Sequence, residues 1–477
     1  GTDFSEMFSN ASAFDQDISS WAVSNGTDFS NMFNEASVFN QDLKNWTLDE
    51  NAILTSIFEG ADLFQATYEV GGTPSIYFFN PFPDKITLQN AVNTWINDQN
   101  AAKEIYGNIQ NWDVSQIKDF SSLFKDKTTF DSDISNWNVS NGIDFSEMFS
   151  NASAFDQDIS SWDVSNGTDF ASMFYRAYDF DQDIGSWDVS KGSDFSYMFS
   201  DAQVFNQDIG SWDVSNGTTF QWMFSYASIF NQDLGNWDVS NGINFESMFA
   251  ASAINQDIGE WDVSKGTDFS YMFFNASDFN KYIGKWDVSN GTNFKRMFAL
   301  SAFNKDIGGW DVSKGTDFSE MFAATDFNQD IGSWDVSSGE DFYSMFSLSS
   351  AFNQDIRNWD VSNGTSFAYM FMEASEFSQD ISVWNVSEGE DFDSMFSNAD
   401  AMLAAGWSST PTASDFLGQT ITGKEEADDE LTTGGVGNDV LSGLGGDDEI
   451  DGGDGWDKLY GGEGNDAING GKGTDIM

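Results

Sequence analysis

Tryptophan recurs along this chain at an almost constant interval. From Trp112 to Trp384, twelve tryptophans follow one another at 24 or 25 residues, and Trp21 and Trp46 have the same spacing. The typical unit reads W-D-V-S-x-G-x-D-F-x-x-M-F-x-x-A-x-x-F-x-Q-D-I. A unit this short cannot bury its own apolar face, so neighbouring units have to stack on one another. The period therefore predicts a solenoid.

The apolar residues at the start of a unit predict a strand. Ile184, Trp187 and Val189 have the L-x-x-L-x-L spacing of leucine-rich repeats, which places three side chains on one side of a short strand. We therefore expect the W-D-V-S segments to pair as a parallel β-sheet. The array as a whole is predicted to be a leucine-rich-repeat-like, right-handed coil.

The middle of a unit predicts a short helical turn. Phe195, Met198 and Phe199 lie at i, i+3 and i+4, which is the spacing of one helix face. Asp194 is placed to cap this turn, and Gly192 lies where the chain must change direction and suits a positive φ. One turn is too short to be stable alone, so packing has to hold it.

Breaks in the repeat pattern divide the chain into five predicted parts. They are the end of a first array (1–66), a linker and helical cap (67–107), a second array (108–400), a linker (401–420) and a region of nine-residue period (421–477). Because the chain opens and closes inside repeats, we expect it to be a window on a longer protein.

The predicted cap contains two helices. The apolar side chains of the first fall on one helical face and are Leu88, Ala91, Val92, Trp95 and Ile96. The second covers residues 101–106 and ends at Gly107, a favourable residue after a helix. Solenoid ends need covering, so we expect Leu88, Val92, Trp95 and Ile96 to pack on the first strand of the second array.

The charge balance excludes two classes of partner. The chain has 78 acidic and 19 basic residues and a formal charge of -59, whereas nucleic acids and anionic membranes bind basic surfaces. Cys and His are absent, which removes disulfides, the commonest general base and the commonest transition-metal ligand. No apolar run reaches about 18 residues, so no membrane insertion is expected.

The units resemble a known family. The segment 205–215 reads F-N-Q-D-I-G-S-W-D-V-S and is similar to the 25-residue repeats of bacterial surface proteins, found in leucine-rich-repeat surface antigens and mycoplasma-type lipoproteins. Gly often replaces that family's Val, and Phe its Met. The resemblance covers about four fifths of the chain and implies surface display and attachment, without one shared ligand.

The C-terminal region resembles a second family. The segment 434–442 fits G-G-x-G-x-D-x-U-x, as do 452–460, 461–469 and a truncated 470–477, while 443–451 has Leu at the second Gly. These segments are similar to the calcium-binding nonapeptides of secreted RTX proteins. The resemblance implies a parallel β-roll in which two nonapeptides make one turn of the coil, so that stacked residues are 18 apart.

These nonapeptides predict a calcium site. Their glycine-rich halves expose backbone carbonyls and their aspartates add carboxylates, which are the hard oxygen ligands that Ca²⁺ prefers. The stacked pairs would be Asp439 with Asp457, Asp448 with Asp466, and Asp457 with Asp475. The predicted metal-site residues are Gly435, Gly437, Asp439, Asp448, Gly455, Asp457, Gly464, Asp466 and Asp475. We expect calcium binding and folding of this part to be one event.

Two polar columns in the array leave alternatives open. The aspartates after tryptophan either hold local turns or form a surface for cations or a ligand: Asp163, Asp188, Asp213, Asp238, Asp262, Asp287, Asp311, Asp335 and Asp360. The threonines before D-F are either turn residues or a water-ordering row of the ice-binding kind: Thr168, Thr218, Thr267, Thr292, Thr316 and Thr365.

The patterns together favour a secreted or cell-surface bacterial adhesin or structural repeat protein that is not an enzyme. Its partner would be a surface protein or glycan, or other copies of itself. The alternatives are a self-assembling extracellular filament or surface-layer subunit, and an enzyme acting on polysaccharide. Against an enzyme stand the absence of His and Cys and the expectation that no unit of the second array carries polar residues of its own.

Overall fold

The computed structural model describes residues 1–43, 45–416, 420–424, 429–432, 437, 439–453, 455, 457–473 and 475–477. The chain forms two compact units, Gly1–Asn216 and Gly217–Met477. Both contain repeats of the tryptophan-led array, and the second also contains the region of nine-residue period.

Successive repeats are joined by parallel backbone hydrogen bonds. In the first unit, Asp144 pairs with Asp169 and Asp169 with Asp194 as single-residue parallel bridges. Alternate N–H groups then donate to the next repeat, Ser172 to the carbonyl of Ser196 at 2.7 Å being one example. Equivalent bridges connect Thr219 through to Asp391 in the second unit. Each repeat therefore lies directly on its neighbour.

The predicted W-D-V-S sheet is wrong. Among the described residues of the arrays, these segments form no strand, and the bridges lie at the residue before Phe. The N–H of Ser190 donates to Asp188 Oδ1 at 3.0 Å and that of Gly192 to the carbonyl of Val189 at 2.7 Å. Because these donors are bonded within their own repeat, they cannot build a ladder to the next one.

The predicted helical turn is replaced by tight turns. The N–H of Met198 donates to the carbonyl of Phe195 at 3.2 Å, but Tyr197 between them has a φ of 57°. A left-handed residue at this point prevents the chain from continuing as a right-handed helix. Asp194 still caps the segment, since its Oδ1 accepts the N–H of Ser196 at 2.8 Å.

Gly192 is required for space rather than for a positive φ. It is not among the residues in the left-handed region. A Cβ at this position would lie 2.5 Å from Cζ of Phe195 and 3.0 Å from the carbonyl oxygen of Val189. The glycine therefore lets a buried phenylalanine ring pack against the turn.

The core consists of aromatic columns. Phe174 stacks on Phe199 of the next repeat at 5.6 Å and on Phe180 of its own repeat at 4.0 Å. Trp187 is 4% exposed, and its indole N–H donates to the carbonyl of Ile159 at 3.1 Å. A buried indole N–H needs such an acceptor, and the previous repeat supplies it. The tryptophan, phenylalanine and methionine columns are core, as predicted, except at the start of the first array, where Met7 and Trp21 are exposed.

Three repeats of the second unit are one residue shorter than the others, and a hydroxyl closes the shorter loop. Ser252 replaces the usual alanine; its Oγ donates to the carbonyl of Phe249 at 2.8 Å and accepts the N–H of Ile254 at 3.4 Å. Ser301 and Thr325 bond in the same way.

The described residues contain four helices. They are α1 (Asp62–Tyr68), α2 (Lys85–Asn97), α3 (Gln99–Tyr106) and α4 (Asp400–Ala404), with 3-10 turns at Ile76–Phe78, Ile109–Asn111 and Ala413–Asp415. Within the parts of the chain that are described, no helix has the length and apolar character needed to cross a membrane.

Helix α2 covers the start of the second array. It buries Leu88, Ala91, Val92 and Trp95, as the spacing predicts, while Ile96 is only half-buried. The Trp95 indole packs edge-on against Trp112 at 5.9 Å and donates to Ser132 Oγ at 2.9 Å. The contact is with the W-D-V-S segment of the first repeat, although that segment is not a strand. Helix α3 ends at Tyr106 and is followed by Gly107, whose φ is 72°.

The described part of the region of nine-residue period contains six strands. They are β1 (Thr420–Thr422), β2 (Glu430–Thr432), β3 (Val440–Ser442), β4 (Glu449–Asp451), β5 (Lys458–Tyr460) and β6 (Ala467–Asn469). Strands β1, β3 and β5 form one parallel sheet, and β2, β4 and β6 form the other. This arrangement agrees with a parallel β-roll.

Candidate metal centre

The roll places residues 18 apart beside one another. Leu441 pairs with Leu459 and Ile450 with Ile468, and Leu441, Ile450 and Leu459 are fully buried between the two sheets. The alternating pattern of each strand points the middle residue inward, and a glycine-rich loop follows. The spacing of the candidate ligands is therefore set by the stacking of this small apolar core.

The structure brings together all three predicted aspartate pairs. The N–H of Asp439 donates to Asp457 Oδ1 at 2.8 Å, and that of Asp448 to Asp466 Oδ1 at 3.0 Å. The N–H of Asp457 donates to Asp475 Oδ1 at 3.1 Å. One oxygen of each acceptor carboxylate thus holds the preceding turn of the roll, which leaves its second oxygen for another partner.

Two of these carboxylates are buried without full pairing. Asp457 is 0% exposed and Asp448 is 2% exposed, and Oδ2 of each has no hydrogen-bond partner in the structure. Burial, followed by the charges of Asp439, Asp475 and Asp451, raises the pKa of Asp457 to about 6. A buried carboxylate needs a counter-charge or a proton, so this site favours a cation.

Glycines surround the unpaired oxygens. A Cβ at Gly452 would overlap Oδ2 of Asp457, and one at Gly443 would overlap Oδ2 of Asp448. Gly455 has a φ of 151° and packs on the carbonyl of Gly437, so two predicted site glycines lie in contact. The glycines therefore allow backbone carbonyl oxygens and carboxylate oxygens to lie close together in the loops.

Gly464 and Gly435 are the remaining glycines among the predicted site residues. Gly464 has a φ of 142° and packs on the carbonyl of Gly446, in the same way as the previous pair. Gly435 lies outside the described residues.

The donor set fits calcium. Over the described stretches of the chain, no three acidic side chains form a cluster able to hold a metal ion. The oxygen ligands that the roll offers to a cation are loop carbonyls, such as that of Gly437, and the carboxylates of the stacked aspartates. Neutral carbonyls combined with few carboxylates are a typical ligand set for Ca²⁺.

The aspartate column of the array holds local turns. Asp188 Oδ1 accepts the N–H of Ser190 at 3.0 Å, and Asp238 accepts that of Ser240 at the same distance. Hydrogen bonds from Ser190 lower the pKa of Asp188, which stabilises its charged form. The threonine side chains also bond to the backbone: Oγ1 of Thr292 donates to the carbonyl of Thr267 at 3.2 Å, and Oγ1 of Thr316 donates to that of Thr292 at 3.2 Å.

Sequence reasoning missed one surface. We define the variable face as the two residues before and the two residues after each Met-Phe pair, with the Leu123-Phe124 pair taking its place in the first repeat of the second array. It carries the ion pairs Lys125–Glu147 at 2.6 Å and Arg176–Asp201 at 3.3 Å, so the expectation that no unit has polar residues of its own is wrong. A position-by-position comparison of the repeats would have revealed these residues.

The chain was compared with protein families, curated proteins and solved structures. A family model described as Mycoplasma protein of unknown function, DUF285, matches residues 1–70, 94–207, 168–255, 243–350 and 301–407. A model of the RTX calcium-binding nonapeptide repeat matches residues 433–468 and 457–477. No curated protein and no solved structure matches. Since the first model spans most of the chain, the protein belongs to the Mycoplasma DUF285 family and also carries RTX calcium-binding repeats.

Proposed function

We propose that this protein is a secreted or cell-surface adhesin or structural repeat protein whose C-terminal roll folds with calcium. The family matches support a surface or secreted repeat protein with calcium-binding motifs. The observation that carries the calcium part is the pair of fully buried, unpartnered carboxylate oxygens of Asp448 and Asp457. The finer role of adhesin rests on the repeated surface that the arrays present.

The arrays are proposed to coil as a right-handed solenoid. The parallel bridges between successive repeats and the aromatic columns within each unit support this proposal. Solenoids present long surfaces built from equivalent positions, on which side chains can change without altering the core. Such a surface suits attachment better than catalysis, and we propose no catalytic activity.

The residues of the roll have separable tasks in the proposed mechanism. Calcium, when bound, supplies positive charge and accepts oxygen ligands. The carboxylates of Asp439, Asp457 and Asp475 stack along one side, and Leu441 and Leu459 close the apolar interior. Without a cation, the stacked carboxylates repel one another and the glycines lose entropy on ordering. Folding is therefore linked to external calcium, which agrees with secretion of an unfolded tail.

The test uses the full chain, immobilised on beads, and measures attachment to epithelial and bacterial cell layers in calcium and in EGTA. We expect more bead attachment than with albumin-coated beads. Hydrogen exchange and protease resistance of residues 421–477 within the same chain should show ordering by calcium and loss in EGTA. Attachment no better than albumin would refute the adhesin role, and a roll equally ordered in EGTA would refute the calcium mechanism.

A further inference from the structure

A groove lies on the variable face of the first unit. Its volume is about 310 Å³, which is near the lower end of the range for ligand pockets, roughly 300–1,000 Å³. Four successive repeats line it, contributing Lys125, Glu147, Tyr175, Arg176 and Tyr197 among others. It lies in a different unit from the calcium-binding repeats, so it is a separate site.

Two tyrosines form aromatic walls of the groove. The rings of Tyr175 and Tyr197 are 6.3 Å apart and perpendicular, and both side chains are half-buried. The guanidinium of Arg176 lies 5.0 Å from the Tyr175 ring centre. Tyrosine offers an apolar face and a hydroxyl with few rotatable bonds, so these walls are suited to a ligand that is both flat and polar.

The other wall is polar and held in place. Glu147 Oε1 pairs with Lys125 Nζ at 2.6 Å, and Glu147 Oε2 accepts from Ser122 Oγ at 2.8 Å. The Lys125 and Glu147 side chains are each 39% exposed, so both remain within reach of a ligand. These bonds lower the pKa of Glu147 and keep it ionised as an acceptor. The groove thus presents a fixed donor beside a fixed acceptor.

The charges of the groove disfavour an ionic ligand. Lys125 is paired with Glu147, and Arg176 is paired with Asp201 at 3.3 Å. An anion would have to break one of these pairs, and Asp126 adds further negative charge to the rim. A cation would compete with the same two basic groups. A neutral ligand rich in hydroxyls can instead bond to both partners of a pair without displacing either.

The fold does not require this pair of tyrosines. The position of Tyr175 is Ser150 in the previous repeat, and that of Tyr197 is Ser172. Tyr197 has a φ of 57°, in the left-handed region that large side chains disfavour, and Ser172 has the same conformation at 56°. The tyrosines therefore add a surface feature that the repeat can form without.

We propose that this groove binds a neutral, hexose-containing glycan. A sugar ring stacks on a tyrosine face, and its hydroxyls bond to Glu147 and Lys125. The inference rests on the proposed adhesin function and names the class of ligand that the array would attach to.

The experiment measures binding of the full chain in calcium to dextran, mannan, laminarin and galactan, with alginate as the anionic comparison, by calorimetry and affinity electrophoresis. We expect binding to at least one neutral polysaccharide and none to alginate. Tyr175→Ala and Tyr197→Ala should each raise Kd at least tenfold with an unchanged melting temperature. Tyr226→Ala is the matched control, because Tyr226 is an exposed tyrosine of the variable face outside this groove.

Three results would overturn the glycan assignment: no neutral polysaccharide bound, alginate bound more tightly, or both tyrosine variants binding as the unaltered chain does. A folded Glu147→Gln variant tests the polar wall separately and should also bind more weakly. The bead-attachment assay distinguishes failure of the glycan assignment from failure of the adhesin role. If the Tyr175→Ala/Tyr197→Ala variant still attaches to cells, the adhesin function stands and the groove is not its ligand site.

Discussion

Two glycines in neighbouring repeats should respond in opposite directions to the same substitution. A Cβ at Gly291 would lie 2.5 Å from Cζ of Phe294 and 3.0 Å from the carbonyl oxygen of Val288. The Phe294 ring cannot move away, since it is fully buried and stacked at 5.8 Å on Phe269 and at 5.6 Å on Phe318. Gly291→Ala therefore overpacks the core, and we expect it to lower the free energy of unfolding by about 1–3 kcal/mol.

Gly309 is the matched control. A Cβ there meets nothing within 4 Å, its backbone is not left-handed, and other repeats carry Ser211 and Ser333 at the same position. Gly309→Ala should stabilise the protein by about 0.4–1 kcal/mol, because alanine reduces the freedom of the unfolded chain. The two variants should thus differ by roughly 1.4–4 kcal/mol.

The assay combines urea unfolding followed by tryptophan fluorescence with hydrogen exchange resolved to single repeats. Gly291→Ala should lower the urea midpoint and speed hydrogen exchange in its own repeat. Gly309→Ala should raise the urea midpoint and leave hydrogen exchange no faster than in the unaltered chain. Equal midpoints for the two variants, or a higher one for Gly291→Ala, would refute the claim that Gly291 is needed to make room for the Phe294 ring.

Three further predictions test the core, the cap and the roll. Trp237→Ala removes a side chain that is 3% exposed and should cost about 3–5 kcal/mol, so an unchanged urea midpoint would contradict its burial. Deleting residues 87–106 removes α3 and all but the first two residues of α2 and should expose Trp112; equal solubility and thermal stability of the shortened chain would contradict the capping role. In EGTA the roll should become more stable as pH falls from about 6 towards 3.8, because burial raises the pKa of Asp457 and the folded state binds the proton more tightly. Asp457→Asn should remove this pH dependence and weaken ordering by calcium, both measured by circular dichroism; an unaltered calcium titration would count against the site.

The period of the sequence alone determined which side chains are buried and which residues stack on one another. The Trp, Phe and Met columns recur at the repeat spacing. Their apolar surface can be buried only between stacked repeats, so these side chains have to face the interior. The same logic placed Leu88, Ala91, Val92 and Trp95 on one face of α2. The nonapeptide spacing likewise placed Asp439 beside Asp457, because a fixed period brings every equivalent residue to the same side.

Only the tertiary structure decided where the backbone hydrogen bonds go. The N–H groups of the W-D-V-S segment can bond within the repeat or to the next repeat, and apolar spacing is the same in both cases. Left-handed residues such as Tyr197 carry no sequence signal, since packing imposes a conformation that the residue itself disfavours. A comparison of the repeats can show that Lys125 and Glu147 are unusual at their positions, but only the structure shows that they form an ion pair beside a groove.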